Sequence, residues 1–107
     1  MATKQNRPIT EAQIAAWKKQ YNDDIHEISV EKDGTKYKCV VRRPNLIDLQ
    51  AAEEFAKDDT IKQNLFVFKQ CYLGGDTQFL NDDELRLAAA IETAIKFRFL
   101  KATSKKL

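Results

Sequence analysis

Residues 26–41 read HEISVEKDGTKYKCVV, and this stretch decides the fold. Asp33-Gly34 is a favoured pair for a type I′ turn, whose backbone twist matches that of two flanking antiparallel strands. The two-residue loop fixes the register. Lys32 faces Thr35, Glu31 faces Lys36, Val30 faces Tyr37, Ser29 faces Lys38 and Ile28 faces Cys39. Glu27 then faces Val40, and His26 faces Val41. Val30/Tyr37 and Ile28/Cys39 put apolar pairs on one face, while Glu31/Lys36 sets opposite charges on the other. His26 falls at the end of the apolar face, where a half-buried edge residue is expected, with no neighbouring partner to tune it.

Helices are expected on both sides of this hairpin. Upstream, Thr10-Glu11-Ala12-Gln13 is a capping box, with Ile9 and Ile14 as its hydrophobic staple. Ile14, Trp17 and Tyr21 then recur on one helical stripe until Asn22-Asp23-Asp24 ends it. Downstream, Arg42-Arg43-Pro44 closes the second strand, because proline cannot donate to a central ladder. Asn45 can cap a helix whose buried side is expected at Leu46, Leu49, Ala52 or Glu53, and Ala56. After Asp58-Asp59-Thr60, the stripe Ile61, Leu65, Phe68, Tyr72 predicts a helix ending at Gly74 in left-handed geometry. Asn81-Asp82-Asp83-Glu84 opens a last helix with the stripe Ala88, Ile91, Ile95 and Phe99. The acidic pairs at 23–24, 58–59 and 82–83 all fall at helix ends, where capping accounts for them.

The expected fold class is therefore α+β, with one β-hairpin and about four helices packed on one face. Residues 1–8 are expected to be a flexible N-terminus, 9–100 a single domain, and 101–107 a basic flexible tail. Phe66, Leu73 and Phe97 lie off the main stripes of their helices. They are candidates either for a central core helix or for a partner-binding patch. Those side chains and the open strand edges together predict self-association.

Composition narrows the function. One histidine and two cysteines, Cys39 and Cys71, supply no paired ligands of the kind zinc uses, so no metal site is expected. Without a secretory signal, both cysteines are expected as buried small hydrophobes in a reducing compartment. Gly74-Gly75 lacks the Lys-Ser/Thr of a phosphate loop, and no other cofactor or catalytic motif occurs. No enzyme and no cofactor are expected. No apolar run approaches the roughly 18 residues of a membrane span. The net charge of +2 is uneven: residues 1–10 and 96–107 carry bases without acids, while the middle holds 11 basic and 16 acidic residues. Such basic ends are expected as solvated tails.

From the hairpin onward, residues 25–95 resemble the small tail-assembly chaperones of tailed bacteriophages and prophages. The likeness runs through Tyr37 to Arg43-Pro44, Ala51-Ala52, Asp58-Asp59, Cys71-Tyr72-Leu73-Gly74-Gly75-Asp76 and the restart at Asp82. It implies a non-enzymatic protein in the host cytoplasm that coats the tape-measure protein, helps recruit the tail-tube protein and is absent from the finished particle. It also implies a possible frameshift-extended form beyond Lys105-Lys106. The alternatives are a small virion or cargo component, or a nucleic-acid-binding accessory protein using Lys32, Lys36, Lys38, Arg42 and Arg43.

Overall fold

A computed structural model describes residues 9–97 and 104–107. Its elements run α1 (Glu11–Gln20), β1 (Ile25–Lys32), β2 (Thr35–Arg42), α2 (Leu46–Phe55), α3 (Thr60–Cys71), β3 (Tyr72–Gly75), α4 (Gln78–Asn81) and α5 (Asp83–Phe97). The fold is α+β. The hairpin pairs in the register its turn dictates, from Lys32 opposite Thr35 to His26 opposite Val41 and on to Ile25 opposite Arg42. Asp33 and Gly34 have φ of 52° and 80°, the two positive values a type I′ turn needs.

The hairpin is not the whole sheet. β3 adds to β2 antiparallel, giving the order β1-β2-β3 with β2 at the centre. Gly74 is therefore no helix cap. α3 stops at Cys71, and Gly74 pairs with Val40 inside the strand. Gly75, opposite Cys39, carries the positive φ of 130°. A Cβ at Gly75 would stand 2.5 Å from the Cys39 Cα and from the Lys38 carbonyl oxygen. The glycine pair thus lets a third strand approach β2 closely. The register shifts between Val40 and Val41, so Leu73 is the extra residue of a bulge.

The helices are not all on one face either. Cys39 and Val41 point into the main core with Ile28, Phe68, Cys71, Phe79 and Leu85. Val40 points the opposite way and joins Ile9 and Ile14 around a second depression. Trp17 lies against Gly74 on that side, so that a Cβ there would meet its ring at 2.9 Å. α1 thus covers the outer face of the sheet, set by the Thr10–Gln13 capping box. Alternation along β2 made this possible, because three successive residues, Cys39, Val40 and Val41, are buried.

The buried sides of α2 and α5 also differ from the stripes of large residues. α2 buries Asp48, Ala52 and Ala56, while Leu46 and Leu49 face outward. α5 buries Leu85, Ala89, Ala90 and Thr93, while Ala88, Ile91 and Ile95 are exposed. Phe99, the last residue of the expected stripe, lies outside the described residues, as do residues 1–8 and 101–103 of the expected tails. Small side chains let α5 pack closely, and the buried Thr93 hydroxyl donates to the Ala89 carbonyl at 2.8 Å. α3 buries Val67, Phe68 and Cys71, leaving Ile61 exposed.

Replacing Gly75 with alanine should cost about 3 kcal/mol, because strained φ and a backbone clash act together. Gly34→Val, where a Cβ meets nothing within 4 Å, should cost only about 1 kcal/mol through its φ. Urea midpoints of the two variants measure the difference, and equal losses would contradict the close approach of β3.

Candidate functional site

The orientation of α2 begins with an ion pair. Arg42, at the end of β2, donates from Nη1 to Asp48 Oδ2 at 2.7 Å and from Nη2 to Asp48 Oδ1 at 3.1 Å. Nη2 also reaches the Gln70 carbonyl on α3 at 3.1 Å. Asp48 accepts from the Asn45 backbone N–H while the Asn45 side chain caps the Asp48 N–H, each at 2.9 Å. The ion pair thus joins β2, the start of α2 and, through Arg42, the end of α3. The Arg42 guanidinium holds its carboxyl below the ordinary value of 3.8, against the opposing effect of burial. Turning Asp48 inward sets Leu46, about 160° round the helix from it, toward solvent.

The consequence is a surface rich in apolar side chains. Leu46, Ile47, Leu49 and Phe55 on α2 are 52–74% exposed. α2 and α5 each pack on α3, and between them lies an open groove of about 400 Å³. Leu49 and Glu53 form one wall, Asn64 and Val67 the floor, and Ala94 and Phe97 the other wall. Glu53 is the one charged side chain in this lining. The groove lining mixes apolar side chains with Glu53, Gln63, Asn64 and Thr93.

The candidates Phe66, Leu73 and Phe97 are not gathered in one place. Phe66 is half-buried on α3 and stacks on the exposed Phe55 ring at 5.1 Å. Leu73 is half-buried in the β3 bulge. Phe97 closes one end of the groove, with the Arg43 guanidinium 5.0 Å above its ring and His26 edge-on at 4.8 Å. Phe66 and Phe97 therefore border the α2–α3–α5 surface, and Leu73 belongs to the sheet. The outward residues of α2 were missed because the sequence reading placed Leu46 and Leu49 in the core. The signal available was that apolar residues surround α2 on all sides, more than one buried face can use.

His26 does have a polar neighbour, contrary to expectation: its Nε2 lies 2.8 Å from Asp24 Oδ1. Asp24 is not a cap but an acceptor shared with Arg43 Nε at 2.5 Å. Arg43 first, then His26, hold the Asp24 carboxyl below its ordinary value. Asp59 and Asp82 do cap their helices, through the Lys62 N–H and through the Glu84 and Leu85 N–H groups. Of the five bases a nucleic acid would need, Lys32 binds Asp82 at 2.7 Å and Glu84 at 2.9 Å, while Arg42 and Arg43 hold Asp48 and Asp24. Lys36 and Lys38 lie beside Glu27 and Asp76. The hairpin therefore presents no concentrated positive face.

Cys39 and Cys71 are fully buried, and burial pushes both thiols up to about 12. A thiol reagent at neutral pH should label neither until the protein unfolds, and rapid labelling of native protein would contradict this core.

The lowered carboxyls of Asp24, Asp48 and Asp82 give the pH response its sign. Each stabilises the fold above its ordinary value of 3.8, and that contribution is lost as pH falls through the lower folded value. Tm should hold steady from neutral pH down to about 5 and fall below about 4. Asp48→Ala should cost about 3 kcal/mol at pH 7, because Arg42 loses its partner in a largely buried site. A loss under about 1 kcal/mol in thermal melts would show that the pair is surface-like.

Compared with protein-family models, with curated proteins and with solved structures, the chain matches none of them.

Proposed function

We propose that this chain is a non-enzymatic tail-assembly chaperone of a tailed bacteriophage, holding apolar stretches of the tape-measure protein and aiding tail-tube assembly in the host cytoplasm. The observation that carries the reading is the outward set Leu46, Ile47, Leu49 and Phe55 beside an open groove, on a domain whose own core is already filled by other residues. A small domain that leaves so many large apolar side chains in water is built to cover, or be covered by, another apolar surface. The likeness of residues 25–95 to such chaperones supplies the partner. No helix among the described residues is long and apolar enough to cross a membrane, which agrees with action in an aqueous compartment. The ion pairs that occupy Lys32, Arg42 and Arg43 weigh against the nucleic-acid alternative.

Co-expression with the tape-measure protein of the same genome tests this. The wild-type chain should keep that protein in the soluble fraction and co-purify with it. A charge placed on α2, as in Leu49→Glu, should weaken the complex about 30-fold while leaving the melting temperature nearly unchanged, since Leu49 is exposed. Absence of any complex, or abundance of the chain in purified particles, would overturn the reading.

A further inference from the structure

α1 is held differently from the other long helices. Each of those is tied to the sheet by a charged side chain of the hairpin. Arg42 bonds Asp48 on α2 and the Gln70 carbonyl on α3, and Lys32 bonds Asp82 and Glu84 at the start of α5. Among the described residues, no hydrogen bond or ion pair joins residues 9–21 to anything beyond Asp24. The capping box and the backbone bonds of α1 are all local.

Apolar contact alone docks this helix. None of its ten residues is fully buried. Trp17 lies against Gly74, while Ile9 and Ile14 share with Val40 the lining of a depression of about 300 Å³. Glu27, Lys36, Lys38 and Asp76 line it as well, so the contact is small and bordered by charge.

The change from loose to fixed falls at two residues. Asn22 and Asp23 both take left-handed conformations, with φ of 55° and 64°, which Asn and Asp tolerate better than other side chains. Immediately beyond them, Asp24 is fixed by His26 and Arg43. A pair of turn residues thus joins an untethered helix to an anchored strand, the arrangement of a hinge.

We propose that α1 is a hinged strap, which opens as a unit about Asn22-Asp23 and uncovers Val40 and Gly74-Gly75 while the sheet and the other helices stay folded. Opening breaks no hydrogen bond or ion pair to the domain and leaves the core of Ile28, Cys39, Phe68 and Phe79 untouched, so it takes less free energy than global unfolding. Once released, α1 melts, because a ten-residue helix does not hold in water without a surface to pack on. The strap governs access to the outer face of the sheet. That face is opposite the one on which α2, α3 and α5 pack, so the strap stands whether or not the chaperone reading does.

Trp17 is the single tryptophan, so its emission reports the strap, while labelling of Cys39 and Cys71 reports the core. In urea, Trp17 emission should shift to the red at least about 1 M below the concentration at which the thiols react. Without urea, hydrogen exchange should find the amides of residues 14–20 about 100-fold less protected than those of Cys39 and Phe68. Gly74 has no positive φ, so Gly74→Val leaves the backbone unstrained, yet even a Cβ there would stand 2.9 Å from the Trp17 ring. This wedge should give solvated Trp17 emission without urea and speed α1 exchange a further ten-fold or so, with both thiols still unlabelled. Coincident Trp17 and thiol transitions in the wild type would overturn the proposal, and so would α1 amides as protected as those of Cys39. If Gly74→Val fails to fold, the two wild-type measurements decide alone.

Discussion

The Arg42–Asp48 ion pair is the constraint on which the outer surface of this domain depends. It ties the last residue of β2 to the first turn of α2 and, through the Gln70 carbonyl, to the end of α3. A carboxylate this deeply placed needs its guanidinium and its backbone donor, because charge removed from water without partners is costly. Once Asp48 turns inward, helix geometry takes Ala52 into the core beside it and sets Leu46 on the opposite side, in water, while Leu49 on the flank is half exposed beside the groove.

The same logic extends to α5, where small residues replace a salt bridge as the cause. Ala89, Ala90 and Thr93 allow the helix to approach its neighbours closely, so the isoleucines are left on the far side. The domain thus separates two apolar surfaces. One lies around α2 and its groove, whose lining includes Glu53. The other, on α5, is the exposed pair Ile91 and Ile95.

Local chemistry was legible in the sequence, and non-local geometry was not. Asp33-Gly34 and the alternation on either side gave the hairpin register residue by residue, because turn type and side-chain period act over adjacent positions. The capping residues Thr10 and Asn45 were readable for the same reason. Gly74 was misread because a glycine after an apolar helical stripe is a good stop signal, and only the approach of β3 to β2 reveals its pairing with Val40. The faces of α2 and α5 were misread because large aliphatic residues were assigned to the core, whereas a salt bridge and three small side chains decided which side went in. Among the candidate site residues, Phe66 and Phe97 do border the helical surface, but the residues that form most of it were hidden by that same assignment.

The claim at the centre of this account is that α2 turns its leucines to water because Asp48 turns inward. Relaxation of methyl NMR signals by a soluble paramagnetic probe measures that directly. The account predicts strong relaxation of the Leu46, Ile47 and Leu49 methyls in the free protein, with Val41 and Leu85 shielded. Leu46 and Leu49 methyls as shielded as Val41 would mean that α2 buries its leucines, and would contradict the account.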